Sequence, residues 1–193
     1  MSIRYYEQHA DEFFQRTVDA DMATTRARFA ALVRRTGHIL DAGCGSGRDA
    51  RAFHELGFEV TAIEAAAPLA ELARQYTGLP VQVMTFDQIT WRERFDGVWA
   101  CASLLHVPRS ELTAAVRCLR DSLVLGGSLF MSFKYGSGER EVAGRRFTDL
   151  DEAGAQRLLS AVGGLELLSS AIDEDLRAEC AGQRWLGLLC RRF

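Results

Sequence analysis

Between His38 and Phe133, five short apolar runs alternate with segments of helical periodicity, which narrows the chain to very few architectures. "HILDAG" predicts a first strand, and Arg48 to Leu56 a helix stopped by Gly57. "FEVTAI" predicts a second strand ending at Glu64, followed by a helix from Pro68 through Tyr76 with proline in its first turn. "VQVM" and "FDGVWAC" read as strands three and four. Leu112, Val116, Leu119 and Leu123 recur at helical spacing across Arg109 to Val124, and "SLFMSF" is a fifth strand after a Gly126-Gly127 turn. Such alternation implies a parallel sheet covered by helices on both faces, with ligands beyond the carboxyl ends of its strands.

Outside this stretch, Tyr6, Ala10, Phe13, Phe14 and Thr17 share one face of a helix spanning Ile3 to Thr17. A second helix from Asp21 to Arg35 carries Met22, Phe29, Leu32 and Val33 as its stripe. Thr148 with Asp151 three residues on predicts a capping box, opening a helix that ends near Gly163-Gly164. "LELLSSAI" and "RWLGLLCRRF" are two closing strands joined by "DEDLRAEC". No crossover helix lies between them, so the last strand should insert antiparallel.

The 193 residues fit one domain, and a net charge of -3 gives no overall attraction to nucleic acid. Cys44, Cys101, Cys118, Cys180 and Cys190 are odd in number and show no Cys-x-x-Cys spacing. Neither a disulfide framework nor a zinc site is expected, and a reducing cytoplasm suits them. No apolar run is long enough to cross a bilayer, so no membrane partner is expected. His9, His38 and His54 are scattered without metal-ligand spacing and read as surface or structural groups.

"ILDAGCGSGRDA" places three glycines in five positions after the first strand. A dinucleotide fingerprint needs a third glycine where Arg48 stands, and a phosphate-binding P-loop needs a Lys-Ser/Thr pair that is missing. What remains is Asp41-x-Gly43-x-Gly45-x-Gly47, with Glu64 ending the second strand. Glycines let a ligand lie along the backbone. Glu64 can accept from both hydroxyls of a ribose, and the helix N-terminus at Arg48 favours a carboxylate. A ribose and an amino acid without phosphate describe S-adenosylmethionine.

"LDAGCGSGRDA", "VTAIEAA", "FDGVWACASLLHVP" and "LGGSLFMSF" together resemble the successive motifs of class I S-adenosylmethionine-dependent methyltransferases. The loop "GCGSGRDA" is similar to that of the small bacterial tellurite-resistance-type enzymes, whereas "WACASLLHVP" looks like a subgroup of small bacterial methyltransferases. Leu125 stands where such proteins commonly carry proline. The resemblance implies a Rossmann-like α/β fold, a seven-stranded mostly parallel sheet with an antiparallel last strand and helices on both faces. It implies a single domain over 1–193, residues 1–35 forming a helical lid and 36–193 the core. Asp41, Gly43, Cys44, Gly45, Gly47 and Arg48 would surround the methionine end of the cofactor, Glu64 the ribose, Phe86 and Asp87 the adenine. Cys101, a small buried hydrophobe in its chemistry, would stand beside them.

Methyl transfer from a sulfonium is an in-line displacement, so alignment supplies most of the catalysis. The transfer site is expected at Cys101 to His106, beneath the lid. His106 reads as a base or substrate-binding group, or as a cap for the helix at Pro108. Ser103 could bond substrate or backbone, and one of Tyr5 and Tyr6, here taken as Tyr6, should face the site. "FKYGSGEREVAGRRF" reads as a loop whose Lys134, Tyr135, Arg140, Arg145 and Arg146 include a possible clamp (Arg145 and Arg146) for an anionic acceptor. Trp185 would close the pocket's side or pack against a helix. The expected function is a metal-free methyltransferase that uses S-adenosylmethionine, releases S-adenosylhomocysteine and acts on a small, anionic molecule. A catalytically silent cofactor binder is the alternative, and a nicotinamide oxidoreductase a more distant one. The oligomeric state is not legible.

Overall fold

The computed structural model describes residues 2–175 and 182–193. Three helices open the chain: α1 (Ser2–Gln8), α2 (Ala10–Thr17) and α3 (Ala23–Ala30). The core then runs β1 (His38–Ala42), α4 (Arg48–Glu55), β2 (Glu59–Glu64), α5 (Ala67–Thr77), β3 (Val81–Val83), β4 (Phe95–Ala100), α6 (Arg109–Ser122) and β5 (Leu123–Lys134). A hairpin of β6 (Gly138–Val142) and β7 (Arg145–Asp149) follows, then α7 (Glu152–Val162), β8 (Leu165–Glu174) and β9 (Arg184–Arg192).

Seven strands form one sheet in the order β3-β2-β1-β4-β5-β9-β8. The first five are parallel, and β9 inserts antiparallel to both its neighbours. This is the Rossmann-like topology expected from the sequence. Strand alternation sends Leu129, Met131, Phe133, Leu186, Leu188 and Cys190 into a core with α6 and α7. On the other face, fully buried Trp99 lies among Phe29, Phe53 and Phe130, with ring centroids 5.2, 5.4 and 4.2 Å away. Each such aromatic contributes roughly 4–6 kcal/mol of apolar transfer free energy, an upper bound that ignores residual burial in the unfolded chain.

Several elements differ from the sequence expectation. The first helix breaks at His9 (φ -125°), whose Nδ1 donates to the Tyr5 carbonyl at 2.9 Å and stacks on that ring. The second spans only Ala23–Ala30, because Leu32 and Val33 switch to tighter turns back to Phe29 and Ala30. Asp151 alone caps α7, accepting from Gly154 N at 2.6 Å, while the Thr148 hydroxyl turns away to the Val107 carbonyl. The Gly126-Gly127 pair sits inside β5, at a register shift against β4, rather than before the strand. The basic "loop" is the β6–β7 hairpin, pinned by Arg109, whose guanidinium donates to the carbonyls of Gly138 and Asp149 at 3.0 Å each. Cys180 and most of the connector before β9 lie outside the described residues.

Candidate active site

The loop between β1 and α4 holds its glycines at positive φ: Gly43 at 84°, Gly45 at 57° and Gly47 at 80°. A Cβ on Gly43 would lie 2.5 Å from that of Ser103, and one on Gly47 only 2.6 Å from Thr77 Cγ2. Two of the three glycines therefore answer to protein packing, not only to a ligand's approach. Over Gly45 lies the ring of Phe13, 3.3 Å from where a Cβ would be. Glu64, at the end of β2, accepts from Gly45 N at 3.0 Å and from Ala66 N at 2.9 Å. Burial raises its pKa, and those amides partly offset the rise. Asp41 is buried, its Oδ2 has no hydrogen-bond partner among the described residues, and desolvation followed by the charge of Asp49 lifts its carboxyl well above the usual range. An orphaned carboxylate oxygen on β1 and a pinned carboxylate on β2 fit a ligand carrying an ammonium at one end and a diol at the other. Phe86 and Asp87 lie on a short 3-10 turn after β3, Asp87 exposed.

Arg48 makes a two-pronged pair with its neighbour Asp49, Nε to Oδ1 at 3.0 Å and Nη2 to Oδ2 at 2.6 Å. Arg26 of α3 reaches the same carboxylate at 2.7 Å, and Trp99 Nε1 donates to it at 3.0 Å. Burial opposes the Asp49 charge, but the two guanidiniums outweigh it and hold its pKa below the usual range. Asp49, Arg26 and Trp99 were not singled out in the sequence. An acid in a helix's first turn reads as a complement to the helix dipole, and nothing local shows that Arg26 will meet it.

After β4 the chain turns at Ala102 (φ 53°) and enters a 3-10 turn, Leu104–His106. Here Nδ1 of His106 donates to the Arg146 carbonyl at 2.8 Å. That bond fixes the tautomer, so Nε2 accepts from the Tyr6 hydroxyl at 2.7 Å. Burial, with Arg145 adding, lowers the His106 pKa to about 4 against the opposing Arg146 carbonyl, so the ring is neutral at pH 7. Burial likewise pushes the Tyr6 hydroxyl up to about 12, Arg145 pulling the other way.

Both residues line a cavity of about 620 Å³ that extends from the transfer loop across the open face of β5, β9 and β8. Arg48, Cys101, Lys134, Arg140, Arg145 and Trp185 also line it. Burial, then the Asp49 charge, pushes the Cys101 thiol up to about 12, which leaves it inert. The anion clamp is only half assembled. Arg145 stacks between Tyr5 and Phe147, 4.6 and 5.3 Å from their centroids, whereas the Arg146 side chain leaves the cavity for Glu139 at 3.2 Å. Ser103 does not line the cavity, its hydroxyl donating to the Ala42 carbonyl at 2.7 Å. Tyr135 turns to Glu152.

Residues 39–127 match the model of the methyltransferase domain family. The fold that carries them is that of the class I S-adenosylmethionine-dependent methyltransferases. Over 101 residues the chain is 35% identical to the ubiquinone biosynthesis O-methyltransferase of Xanthomonas axonopodis pv. citri, covering 49% of this chain and 41% of that one. The chain thus spans about two fifths of the curated relatives it matches. Among solved structures, the 1,6-didemethyltoxoflavin-N1-methyltransferase of Burkholderia thailandensis superposes with a TM-score of 0.79 at 23% identity, covering 98% of this chain and 84% of the other. A TehB-like methyltransferase from Corynebacterium glutamicum gives 0.72 at 20% identity, over 96% and 99% of the two chains.

Proposed function

We propose that the protein transfers a methyl group from S-adenosylmethionine to a small acidic molecule bound in the cavity. The observation that carries this reading is the Tyr6–His106 pair, packed beside the Phe13 ring that covers Gly45, in a cavity also lined by Arg145. Asp41 would receive the cofactor's ammonium group, Glu64 its ribose hydroxyls, and the Phe86–Asp87 turn its adenine. Gly43, Cys44, Gly45 and Gly47 would supply the backbone cradle, and residues 1–35 would act as a lid. When bound, the cofactor supplies an electrophilic methyl on a leaving group that needs no proton. The chain's own residues then have to align the acceptor and remove its proton.

His106 does the latter through Tyr6: the acceptor's O–H or N–H donates to the Tyr6 oxygen, and the tyrosine proton moves to Nε2. A ring with a pKa of about 4 is neutral and ready to accept, but it holds a proton weakly. It therefore suits an acceptor whose own proton leaves readily, and Arg145 favours the resulting anion. The relatives' names, one an O-methyltransferase of ubiquinone biosynthesis and one solved with 1,6-didemethyltoxoflavin bound, support a small-molecule acceptor.

Calorimetric titration with S-adenosylhomocysteine, on wild type and on Glu64→Ala, tests the cofactor half. Micromolar binding lost in the variant supports it, and a folded wild type that binds nothing overturns it in favour of a repurposed fold. Formation of S-adenosylhomocysteine with a panel of phenols, enols and acidic heterocycles tests the acceptor half.

A further inference from the structure

The cavity floor has a shape that constrains what can lie on it. Strands β5, β9 and β8 pair side by side, placing Ser132, Gly187 and Ala171 in one row across them. Two residues away in one direction the row is Phe130 and Leu189, and in the other Lys134 and Trp185. All seven line the cavity. With strands ~4.8 Å apart and residues rising ~3.3 Å each, the small-residue row is about 10 Å wide and the bounding rows about 13 Å apart. Less the bulk of the walls, that leaves room for one or two fused rings. Both edges of β9 are paired, so its backbone offers the floor no hydrogen bonds. The one hydroxyl in the row, Ser132 Oγ, already accepts from Ala102 N at 2.8 Å, which favours an apolar face over the floor.

The ends of the slot are not alike. At one, the Phe130 ring leans over Gly187, 3.3 Å from where a Cβ would lie. At the other, Lys134 Nζ sits 2.8 Å from Asp175 Oδ2 and 4.1 Å from the Trp185 centroid, and Trp185 Nε1 donates to the same oxygen at 2.9 Å. The Lys134 and Asp175 side chains are 8% and 3% exposed. A pair so buried is a poor source of stability, but it fixes a polar wall at one end of an apolar floor. The hairpin brings a second polar group, Arg145, whose buried Nε has no hydrogen-bond partner among the described residues.

We infer that this floor is an acceptor slot for a planar aromatic acid of one or two rings. The ring lies flat along the Ser132–Ala171 row, against the edge of the Phe130 ring that covers Gly187, its acidic group meets Arg145, and its far edge hydrogen-bonds the Lys134–Asp175 wall. The inference rests on the methyltransferase reading for its purpose but not for its test.

The test is calorimetric titration with 2-naphthoate and with its saturated counterpart decahydro-2-naphthoate, on wild type and on Ala171→Leu. Ala171 is on the sheet's edge strand, two strands from Phe130, so the added bulk enters the slot; the smaller Ala171→Val replaces it if that variant folds poorly. Expected are at least tenfold tighter binding of the flat acid, a tenfold or greater loss of it in Ala171→Leu, and S-adenosylhomocysteine affinity within twofold of wild type. Equal affinity for the two acids, no measurable naphthoate binding, or indifference to Ala171→Leu overturns the slot. If the naphthoate pattern holds while S-adenosylhomocysteine fails to bind wild type, the slot stands and the methyltransferase reading falls.

Discussion

The Tyr6 hydroxyl lies 2.7 Å from Nε2 of His106, joining the first helix to the loop after β4 across a hundred residues of chain. Other bonds bind the N-terminal segment to the same region. Ser2 Oγ accepts from Arg146 N at 3.0 Å, Arg48 Nη1 donates to the Thr17 carbonyl at 3.4 Å, and Arg26 meets Asp49 at 2.7 Å. Helices that bury Phe29 and Ala10 against the core are thus also tied down by polar contacts to α4, the turn after β4 and β7. Groups that shape the site also close it.

His106 gives a pH signature. Its folded pKa of about 4 lies below the ordinary 6.5, so the unfolded chain takes up a proton that the folded chain refuses. Stability from this group is complete above pH 6.5 and is lost as the pH falls toward 4, about 2 kcal/mol of it between pH 7 and pH 5. Urea unfolding at those two pH values should show that loss in wild type and a smaller one in His106→Gln. The same variant should slow S-adenosylhomocysteine formation about 10²–10⁴-fold, and Tyr6→Phe should do likewise. Identical pH dependence in wild type and His106→Gln would refute the buried neutral ring.

Glu64 bonds two backbone amides, so its replacement acts on both folding and binding. Glutamine keeps one acceptor oxygen and turns an NH₂ toward the other amide, which should cost about 1–3 kcal/mol. Thermal melts of Glu64→Gln should show a transition lowered by several degrees that no longer rises with S-adenosylhomocysteine. A normal ligand-induced rise would remove Glu64 from the site.

Legibility followed the range of each interaction. The strands, α6 and the order of motifs were readable because buried strands are apolar runs and Leu112, Val116 and Leu119 mark one helical face. The placement of Asp41 and Glu64 at the ends of β1 and β2, and of the glycines in the turn after β1, was readable because it follows from where the strands stop. The β6–β7 hairpin was not: "GEREV" is exposed at every residue, so it has no alternation to betray a strand, and Arg109 that pins it is 29 residues upstream. The Asp49 network was hidden for the same reason. The commitment of Ser103 to the Ala42 carbonyl depends on how β1 and β4 end side by side, which no local pattern encodes.

Ser103 braces the site and should behave so. Ser103→Ala loses one hydrogen bond, about 1 kcal/mol, and should keep turnover within threefold of wild type. Gly43→Ala should be far worse, since φ is 84° and the new Cβ would lie 2.5 Å from that of Ser103. Ser103→Ala cannot relieve that clash, because the offending atom remains, whereas Ser103→Gly can. Urea midpoints of Gly43→Ala alone and with each partner should show partial recovery only with Ser103→Gly. Equal recovery with both would place the strain elsewhere.

Asp49 carries the largest expected loss. It is 5% exposed and takes bonds from Arg26, Arg48 and Trp99, so Asp49→Asn leaves two poorly exposed guanidiniums without a counter-charge. Breaking a buried pair in this way costs about 3–5 kcal/mol. Arg26→Met should cost less than half of that, because Asp49 keeps its two-pronged bond to Arg48. The double variant should lie close to Asp49→Asn, since the lost bonds are shared. If Asp49 is what holds α3 against α4, limited trypsin digestion should cut after Arg16 faster in Asp49→Asn than in wild type, with the core left intact. A urea midpoint for Asp49→Asn within about 1 kcal/mol of wild type would mean that the network is solvated and that the aromatic packing of Phe29 on Trp99 alone keeps α3 in place.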